Sequence, residues 1–493
     1  MQNPKHALLV AGLVLAVGSS VQAQPKVKLA DQIKELSGKV DEALKGLAEG
    51  SAAAKALQDL ALRVTAIQQD VESLKQTAQG YEDVRSRVEK YEERIGNLEL
   101  DLAALKMQAN EKAAGAGFND GFFLQSPDHK YLLRVGGLAQ MGYRGVILSD
   151  ERLSSGETVG DNESTFLLRR ARLAASGHLL SWRLSYRLEL DFGPEDPGPL
   201  LEGWGELHLH RLLRIRAGRQ KIPFARQFII HAAYLQFVER SGSTDAFALG
   251  WDLGAMVLGN IPLAGVISYQ LGIFNGAGST AASDDNTDFL YVARLLYQPL
   301  GPMGYTEGDI DVGKLQVALG GVFTYNLAHT DIALRKGVTD PTTAAALADA
   351  DADGKIDNVS IYQLGAELVA RLGGLAWQSE LFYRSEDPGA VAADRTFFGL
   401  YTQASFYHFN TSLELAARYG FWEPHYYGMD QTMARPDRIH ELAVALSGLV
   451  WARRIKWQIE YSHRWMLEMR AGDKTLDGQV EVDQVSVQAQ LAF

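Results

Sequence analysis

Residues 182–192 read WRLSYRLELDF, and apolar and polar side chains alternate strictly along this stretch. Even positions from Trp182 to Phe192 are apolar, whereas odd positions are polar or charged. Successive side chains of a β-strand point to opposite faces, so this strand has one apolar and one polar face. Similar alternation at 413–419 and 455–462 fits membrane strands, which are about ten residues long. Soluble β-sandwiches also alternate, so the strands alone leave both classes open.

The connections between strands separate these two classes. Short joins, such as 180–181 and 372–374, alternate with long polar segments, such as 222–248 and 328–357. Short periplasmic turns alternating with long extracellular loops are typical of outer-membrane barrels. Residues 118–493 are therefore predicted to form an all-β, transmembrane antiparallel barrel of about sixteen strands. The connection at 299–313 is longer than this pattern expects.

The first 23 residues have the pattern of a cleavable signal peptide. Lys5 gives a cationic start, residues 7–17 are apolar, and small residues stand near Ala23. The alternative is an uncleaved anchor, but that apolar run is shorter than the roughly 20 residues needed to cross a bilayer. We therefore expect export, with residues 1–23 removed.

Residues 28–112 have a different period from the rest. Apolar residues recur every three or four positions from Leu57 through Leu60, Val64 and Ile67 to Leu105, which is the spacing of a coiled-coil seam. The sequence predicts a periplasmic helical stem, roughly 70 Å long from Leu57 to Leu105 at about 1.5 Å per residue. One amphipathic helix packed on a globular domain is the alternative. A hinge is expected at 113–117.

Composition narrows the class of partner. The chain has no cysteine, which excludes disulfides and thiolate metal sites. Its formal net charge of -12 argues against a nucleic-acid partner.

Four short motifs resemble the phosphate-selective porin O/P family. They are FFL at 122–124, LRVGG at 133–137, LRRARL at 168–173 and AGRQKIPF at 217–224. The resemblance implies a sixteen-stranded homotrimeric channel with arginines along an anion path. It also implies that the third extracellular loop, about 222–247 here, folds inward as a constriction. High-affinity phosphate capture would require a lysine cluster, and this segment has none after Lys221.

Strand parity and the resemblance together give the expected pore-lining residues. Arginine suits an anion path because it stays charged and can hold phosphate or carboxylate oxygens with two hydrogen bonds. A row of mixed Arg and Glu that only maintains a transverse field across a wide pore is the alternative. The candidates for the anion path are Arg134, Arg170, Arg172, Arg183, Arg187, Arg214, Arg216, Lys221 and Arg226.

A second candidate site lies in a long loop. Residues 349–357 read DADADGKID, which matches the start of a calcium-binding loop with Asp349, Asp351, Asp353 and Asp357 as ligands. Position twelve is Ser360 instead of a bidentate Glu, so the site would bind Ca²⁺ weakly. An ordinary acidic surface loop is the alternative, and no other cofactor is expected.

No enzyme signature is evident. His208 and His210 share one strand face, but no third metal ligand is recognisable near them. The predicted function is an outer-membrane porin for passive diffusion of small hydrophilic solutes, preferring anions, with phosphate selectivity left open. Its expected partners are outer-membrane lipid, further copies of itself, small anionic solutes and the cell wall through the stem. The alternatives are an envelope tether or adhesin that uses the barrel as an anchor, and a barrel enzyme such as a lipase.

Overall fold

The structure is a computed structural model with two compact units, Met1–Gly115 and Ala116–Phe493. It describes residues 34–41, 52–76, 90–91, 94, 96–98, 101, 115–119, 121–148, 162–194, 200–276, 288–329, 358–387, 394–424, 435–451, 453–471, 474–475 and 480–493. The predicted signal peptide and the four proposed calcium ligands, Asp349, Asp351, Asp353 and Asp357, lie outside the described residues. Both remain predictions.

The first unit contains a helix at Ala52–Gln76, and residues 34–41 are also helical. The predicted seam residues Leu60, Val64 and Ile67 are 2%, 1% and 2% exposed, so a single chain already covers them. In addition, Tyr91 Oη donates a hydrogen bond to Asp70 Oδ2 at 2.9 Å. Those two residues would stand about 30 Å apart along one straight helix.

The expectation of one straight helix from Leu57 to Leu105 therefore does not agree with this contact. The three- and four-residue spacing correctly identified a helix and its buried face, but it did not show that the covering residues come from the same chain. A stem built from several chains remains a prediction.

Within the described residues, no helix has both the length and the apolar character needed to cross a membrane.

The second unit is a closed antiparallel barrel. Of nineteen strands in the sheet, the three short ones are β1 (Ala116–Phe118), β2 (Phe122–Gln125) and β18 (Lys474–Thr475). The other sixteen form the wall: β3 (Leu132–Leu148), β4 (Glu163–Leu179), β5 (Ser181–Asp191), β6 (Leu200–His210), β7 (Leu213–Lys221), β8 (Trp251–Pro262), β9 (Val266–Phe274), β10 (Leu290–Gln298), β11 (Gln316–His329), β12 (Asn358–Leu372), β13 (Leu375–Asp387), β14 (Arg395–His408), β15 (Leu413–Trp422), β16 (Arg435–Trp451), β17 (Ile455–Ala471) and β19 (Val480–Ala492).

Each wall strand pairs with the next, and the last pairs with the first. β19 runs antiparallel to β3, from Val482 opposite Leu148 to Ala492 opposite Leu138. The predicted barrel of about sixteen strands is thus confirmed, and residues 182–192 form β5 almost to the residue.

Strand β13 shows why alternation produces this wall. Leu375, Trp377 and Leu381 on its outer face are 55%, 42% and 57% exposed, whereas the intervening Gln378 and Glu380 point inward and are buried. Apolar side chains outside and polar side chains inside are what a lipid-embedded barrel requires.

Connections at one end of the barrel are short. Gly373 and Gly374 join β12 to β13 with positive φ angles of 58° and 91°, which a two-residue hairpin of this kind needs and glycine readily adopts. The connection 299–315 lies at this same end but is much longer. It and the connection 222–250, at the opposite end, shape the interior.

Candidate functional site

The connection 222–250, between β7 and β8, folds into the barrel; we call it the inward loop. It contains short helices at Arg226–Ile229 and Gly242–Phe247 and a single 3-10 turn at Ala232–Tyr234. The loop crosses to the opposite wall, because the backbone N–H groups of Arg226 and Gln227 donate to the carboxylate of Glu380 in β13 at 2.5 and 2.9 Å. A carboxylate at the start of a helix accepts N–H groups that have no partner within the helix.

A pair of arginines holds the loop from the β4 side. Arg169 Nε and Arg170 Nη2 donate to the two carboxylate oxygens of Glu239 at 2.5 and 2.8 Å. Burial alone would raise the pKa of Glu239, but Arg170 and Arg169 lower it to about 2. The carboxylate is therefore ionised at neutral pH and the ion pair is intact.

Both arginines point inward because β4 contains a β-bulge. Gln140 is opposite Arg170 and the next residue of β3, Met141, is opposite Leu168, so Arg169 has no partner in the register. An extra residue of this kind shifts the alternation by one position. Strict parity placed Arg169 on the lipid face, which is why the sequence did not identify it as an interior residue.

Lys221 lies at the start of the loop and holds its first turn. Its ammonium donates to the carbonyl oxygens of Phe228, Ile229 and Ile230 at 2.8, 3.0 and 3.3 Å. An ammonium group has three N–H donors, so these three carbonyls engage all of them. This residue was predicted to interact with anions, whereas the structure gives it a role in holding the loop.

The inward loop packs tightly against β13–β17. Lys456 donates to the carbonyl of Leu235 at 2.7 Å, and Gln458 donates to the carbonyl of Gln236 at 2.8 Å. Ser243 donates to the carbonyl of Leu400 at 2.7 Å. Lys456 and Gln458 of the wall and Leu235 and Gln236 of the loop are all buried, so the loop fills this half of the interior.

A cavity of about 370 Å³ lies on the other side of the loop, against β3–β7. The loop lines it with Ile229, His231, Ala233 and Tyr234. Two carboxylate side chains, Glu189 and Glu202, line it as well. Its six cationic side chains are Arg134, Arg172, Arg187, Lys221, Arg453 and Arg454.

The arginines of this wall are held in place by carboxylates. Arg172 Nε donates to Asp191 at 2.6 Å, and Arg187 Nε lies 3.3 Å from Glu202 Oε2. Arg187 also donates to Glu189. The carboxylates therefore fix the direction of each guanidinium and cancel part of its charge, while cations still outnumber carboxylates around the cavity.

The remaining expected pore residues occupy other places. Arg214 and Arg216 share Glu206, at 3.1 and 2.6 Å, and Arg183 lies 5.7 Å from the ring centre of Trp182. Only Arg134, Arg172, Arg187 and Lys221 of the predicted set line the cavity.

Arg170 and Arg226 differ from the expectation. They are 2% and 0% exposed, so neither side chain faces open space in the barrel. Arg170 pairs with Glu239, and Arg226 Nη2 donates to the carbonyl of Gly304 at 3.1 Å. Strand parity gives only the inner face and does not show which inner residues a folded-in loop will cover.

Arg453 and Arg454 line the cavity although the sequence did not single them out. They lie in the turn between β16 and β17, where no alternation indicates which way a side chain points.

Within the described residues, no group of three or more His, Cys, Asp or Glu residues is placed to hold a metal ion. His208, considered as a ligand, lies 3.1 Å from Glu206 and 3.0 Å from Ser185.

A closed sixteen-stranded barrel with an apolar outer face, a polar interior and an inward loop defines a channel-forming outer-membrane protein. The family model of phosphate-selective porins O and P matches residues 140–493. This match covers most of the chain, and the chain belongs to that family of bacterial outer-membrane porins.

Solved outer-membrane proteins are also similar to the chain. OmpT of Vibrio cholerae, expressed in the outer membrane, is 10% identical with a TM-score of 0.47, over 75% of this chain and 100% of that one. The outer-membrane channel DcaP of Acinetobacter baumannii is 10% identical with a TM-score of 0.47, over 75% of this chain and 99% of that one. OmpF of Salmonella typhi is 11% identical with a TM-score of 0.44, over 77% of this chain and 100% of that one. No curated protein matches the chain.

His231 gives the cavity a group that titrates. Its Nε2 lies 3.4 Å from Glu189 Oε1, and its Nδ1 accepts a hydrogen bond from the Ala233 N–H at 3.3 Å. Burial lowers the pKa of His231 below its ordinary value of 6.5, although the Glu189 carboxylate acts in the opposite direction. The side chain is therefore neutral at pH 7.5 and gains a positive charge only in the acidic range.

We predict that anion preference increases as the pH falls from 7.5 into the acidic range, because protonated His231 adds a cation to the cavity. Reversal potentials in a salt gradient measure this change. His231→Gln should show a smaller change in anion preference with pH than wild type. His440→Gln is the control, because His440 bonds Tyr419 away from the cavity, and it should show the same change as wild type. Identical pH profiles for wild type and His231→Gln would contradict the assignment.

Proposed function

We propose that this porin gives small hydrophilic solutes a passive route through the outer membrane and that it prefers anions. Solutes pass between the inward loop and the wall formed by β3–β7. The observation that supports this function is the cavity at that place, with six cationic and two carboxylate side chains. The route has no reaction chemistry of its own.

The cations are suited to attracting anions without binding them permanently. Guanidinium groups remain charged at any physiological pH and present N–H donors in a fixed plane. Because Glu189, Asp191 and Glu202 already hold Arg172 and Arg187, an anion competes with these carboxylates for the same donors. Weak, repeated contacts of this kind favour conduction, since a solute must leave as readily as it enters.

We propose a general anion preference, with phosphate passing as one anion among several. The inward loop contains no lysine, and Lys221 at its start directs its three donors to backbone carbonyls. Tight capture of phosphate would require cationic donors that are available to its oxygens.

Charge substitutions in the cavity test this proposal. The double variant Arg134→Gln, Arg187→Gln should reduce the anion-to-cation permeability ratio, whereas Glu202→Gln should increase it. A unit charge at about 4 Å in water is worth about 1 kcal/mol, so Glu202→Gln should alter the ratio about fivefold, and the double variant, which removes two charges, should alter it by more. Reversal potentials of single channels in a potassium chloride gradient provide the measurement.

Lys130→Gln is the matched control, because its side chain is 60% exposed and pairs with Asp128 instead of lining the cavity. It should leave the ratio unchanged. An unchanged ratio in the cavity variants as well would refute the proposed anion path.

We also propose that three copies assemble in the membrane, with the stem in the periplasm. Membership of the porin family supports a trimer. In a trimer with closed cyclic symmetry, one interface is repeated between all the chains. Since Leu60, Val64 and Ile67 are already covered within one chain, the barrels themselves provide the contact.

Native mass spectrometry in detergent should therefore find three chains both for the intact protein and for residues 118–493 alone. Single barrels from residues 118–493, with three chains for the intact protein, would assign assembly to the stem instead. Single chains in both samples would refute the trimer.

A further inference from the structure

We propose that Glu307, in the connection 299–315, positions the inward loop and thereby fixes the width of the passage. This inference rests on the proposal that solutes pass beside the loop, and it does not depend on which ions are preferred. The connection 299–315 is longer than the alternation of short turns and long loops predicts, and positioning the loop explains its length.

The connection 299–315 is unlike the short turns at the same end of the barrel. It folds into the interior, where Met303, Glu307 and Asp309 are 5%, 1% and 6% exposed. A turn that only joined two strands could remain outside, in water, at no cost. Burying a carboxylate is costly unless hydrogen bonds compensate, so the partners of Glu307 indicate what it does.

The Glu307 carboxylate joins two separate parts of the inward loop. One oxygen accepts from Gln227 Nε2 at 2.8 Å, and the other accepts from the backbone N–H of Gln236 at 2.7 Å. The backbone N–H of Glu307 also donates to the carbonyl of Tyr234 at 3.2 Å. Residues 228–235, between these contacts, include His231 and Tyr234, which face the cavity.

The connection is itself fixed to the wall. Asp309 Oδ2 accepts from the Gly374 N–H at 2.9 Å, and the Gly373 N–H donates to the carbonyl of Gly313 at 3.0 Å. Arg371 and Arg453 donate to the carbonyls of Thr306 and Glu307. Contacts from the wall therefore reach the loop through Glu307.

The neighbouring glycine indicates how closely the connection approaches the wall. Gly308 has a φ of +70°, and a Cβ at this position would lie 2.1 Å from Glu414 Oε1. Both features favour glycine, because it tolerates positive φ and leaves room for the carboxylate. The turn is therefore shaped to lie against β15 with Glu307 directed at the loop.

Glu307→Gln tests the role with little change of shape. A carboxamide has only one oxygen, so its NH₂ group must face one of the two donors from Gln227 and Gln236. A hydrogen bond to a charged group is strong enough that its loss should raise the population of displaced loop roughly tenfold. We expect noisier single-channel currents with additional conductance levels, at an unchanged reversal potential.

Asp311→Asn is the matched control, since it removes an exposed carboxylate from the same connection. Its currents should resemble those of wild type. Wild-type noise in Glu307→Gln would overturn the proposal. A protein that does not conduct at all would instead count against the proposed passage.

A reversible cross-link provides a second test in a single variant. The chain has no cysteine, and the Glu307 N–H bonds the Tyr234 carbonyl, so Tyr234→Cys with Glu307→Cys places two thiols on adjoining backbones. Reduced channels should be noisy because the carboxylate is absent, whereas oxidised channels should be quiet because the disulfide holds the loop. Failure to form the disulfide, or equal noise in both states, would overturn the assignment.

Discussion

Hydrocarbon offers no hydrogen bonds to a polypeptide backbone, and this constraint determines the barrel. A sheet in a membrane must have no free edge, because each unpaired N–H or C=O in lipid costs several kcal/mol. The pairing of β19 with β3 meets this requirement by closing the sheet. Closure also separates the two strand faces, so that every polar side chain pointing inward has to find a partner in the lumen.

The inward loop and the connection 299–315 provide those partners on one side only. Against β13–β17, residues such as Glu380, Glu460 and Lys456 bind loop backbone and are buried. Against β3–β7, arginines pair with carboxylates on neighbouring strands and still border open space. The interior is therefore asymmetric, with a packed half that holds the loop and a charged half that borders the cavity.

Features with a strict period could be predicted from the sequence, and those that break a period could not. Alternation in residues 182–192 predicts β5, and the sixteen-strand wall follows from similar segments. The bulge at Arg169 shifts that parity, and no residue type near it indicates the shift.

The same limit applies to burial in the lumen. Arg170 and Arg226 are of the residue type expected to line a pore, but both are buried because the loop folds back onto the wall. Contacts between segments far apart in sequence, such as Glu307 with Gln236, leave no local pattern. The repeat that includes Leu60 and Val64 correctly predicts a buried helix face, but it does not show whether the residues that cover this face belong to the same chain.

Thiol accessibility in the open channel tests most directly whether solutes pass along β3–β7, as we propose, or along β13–β17. Because the chain lacks cysteine, Ala174→Cys on the cavity wall and Ser405→Cys beneath Gln236 each introduce a single thiol. A charged, water-soluble methanethiosulfonate reagent should block current quickly through Ala174→Cys and leave Ser405→Cys unaffected. Equal block of both, or block of Ser405→Cys alone, would contradict this account.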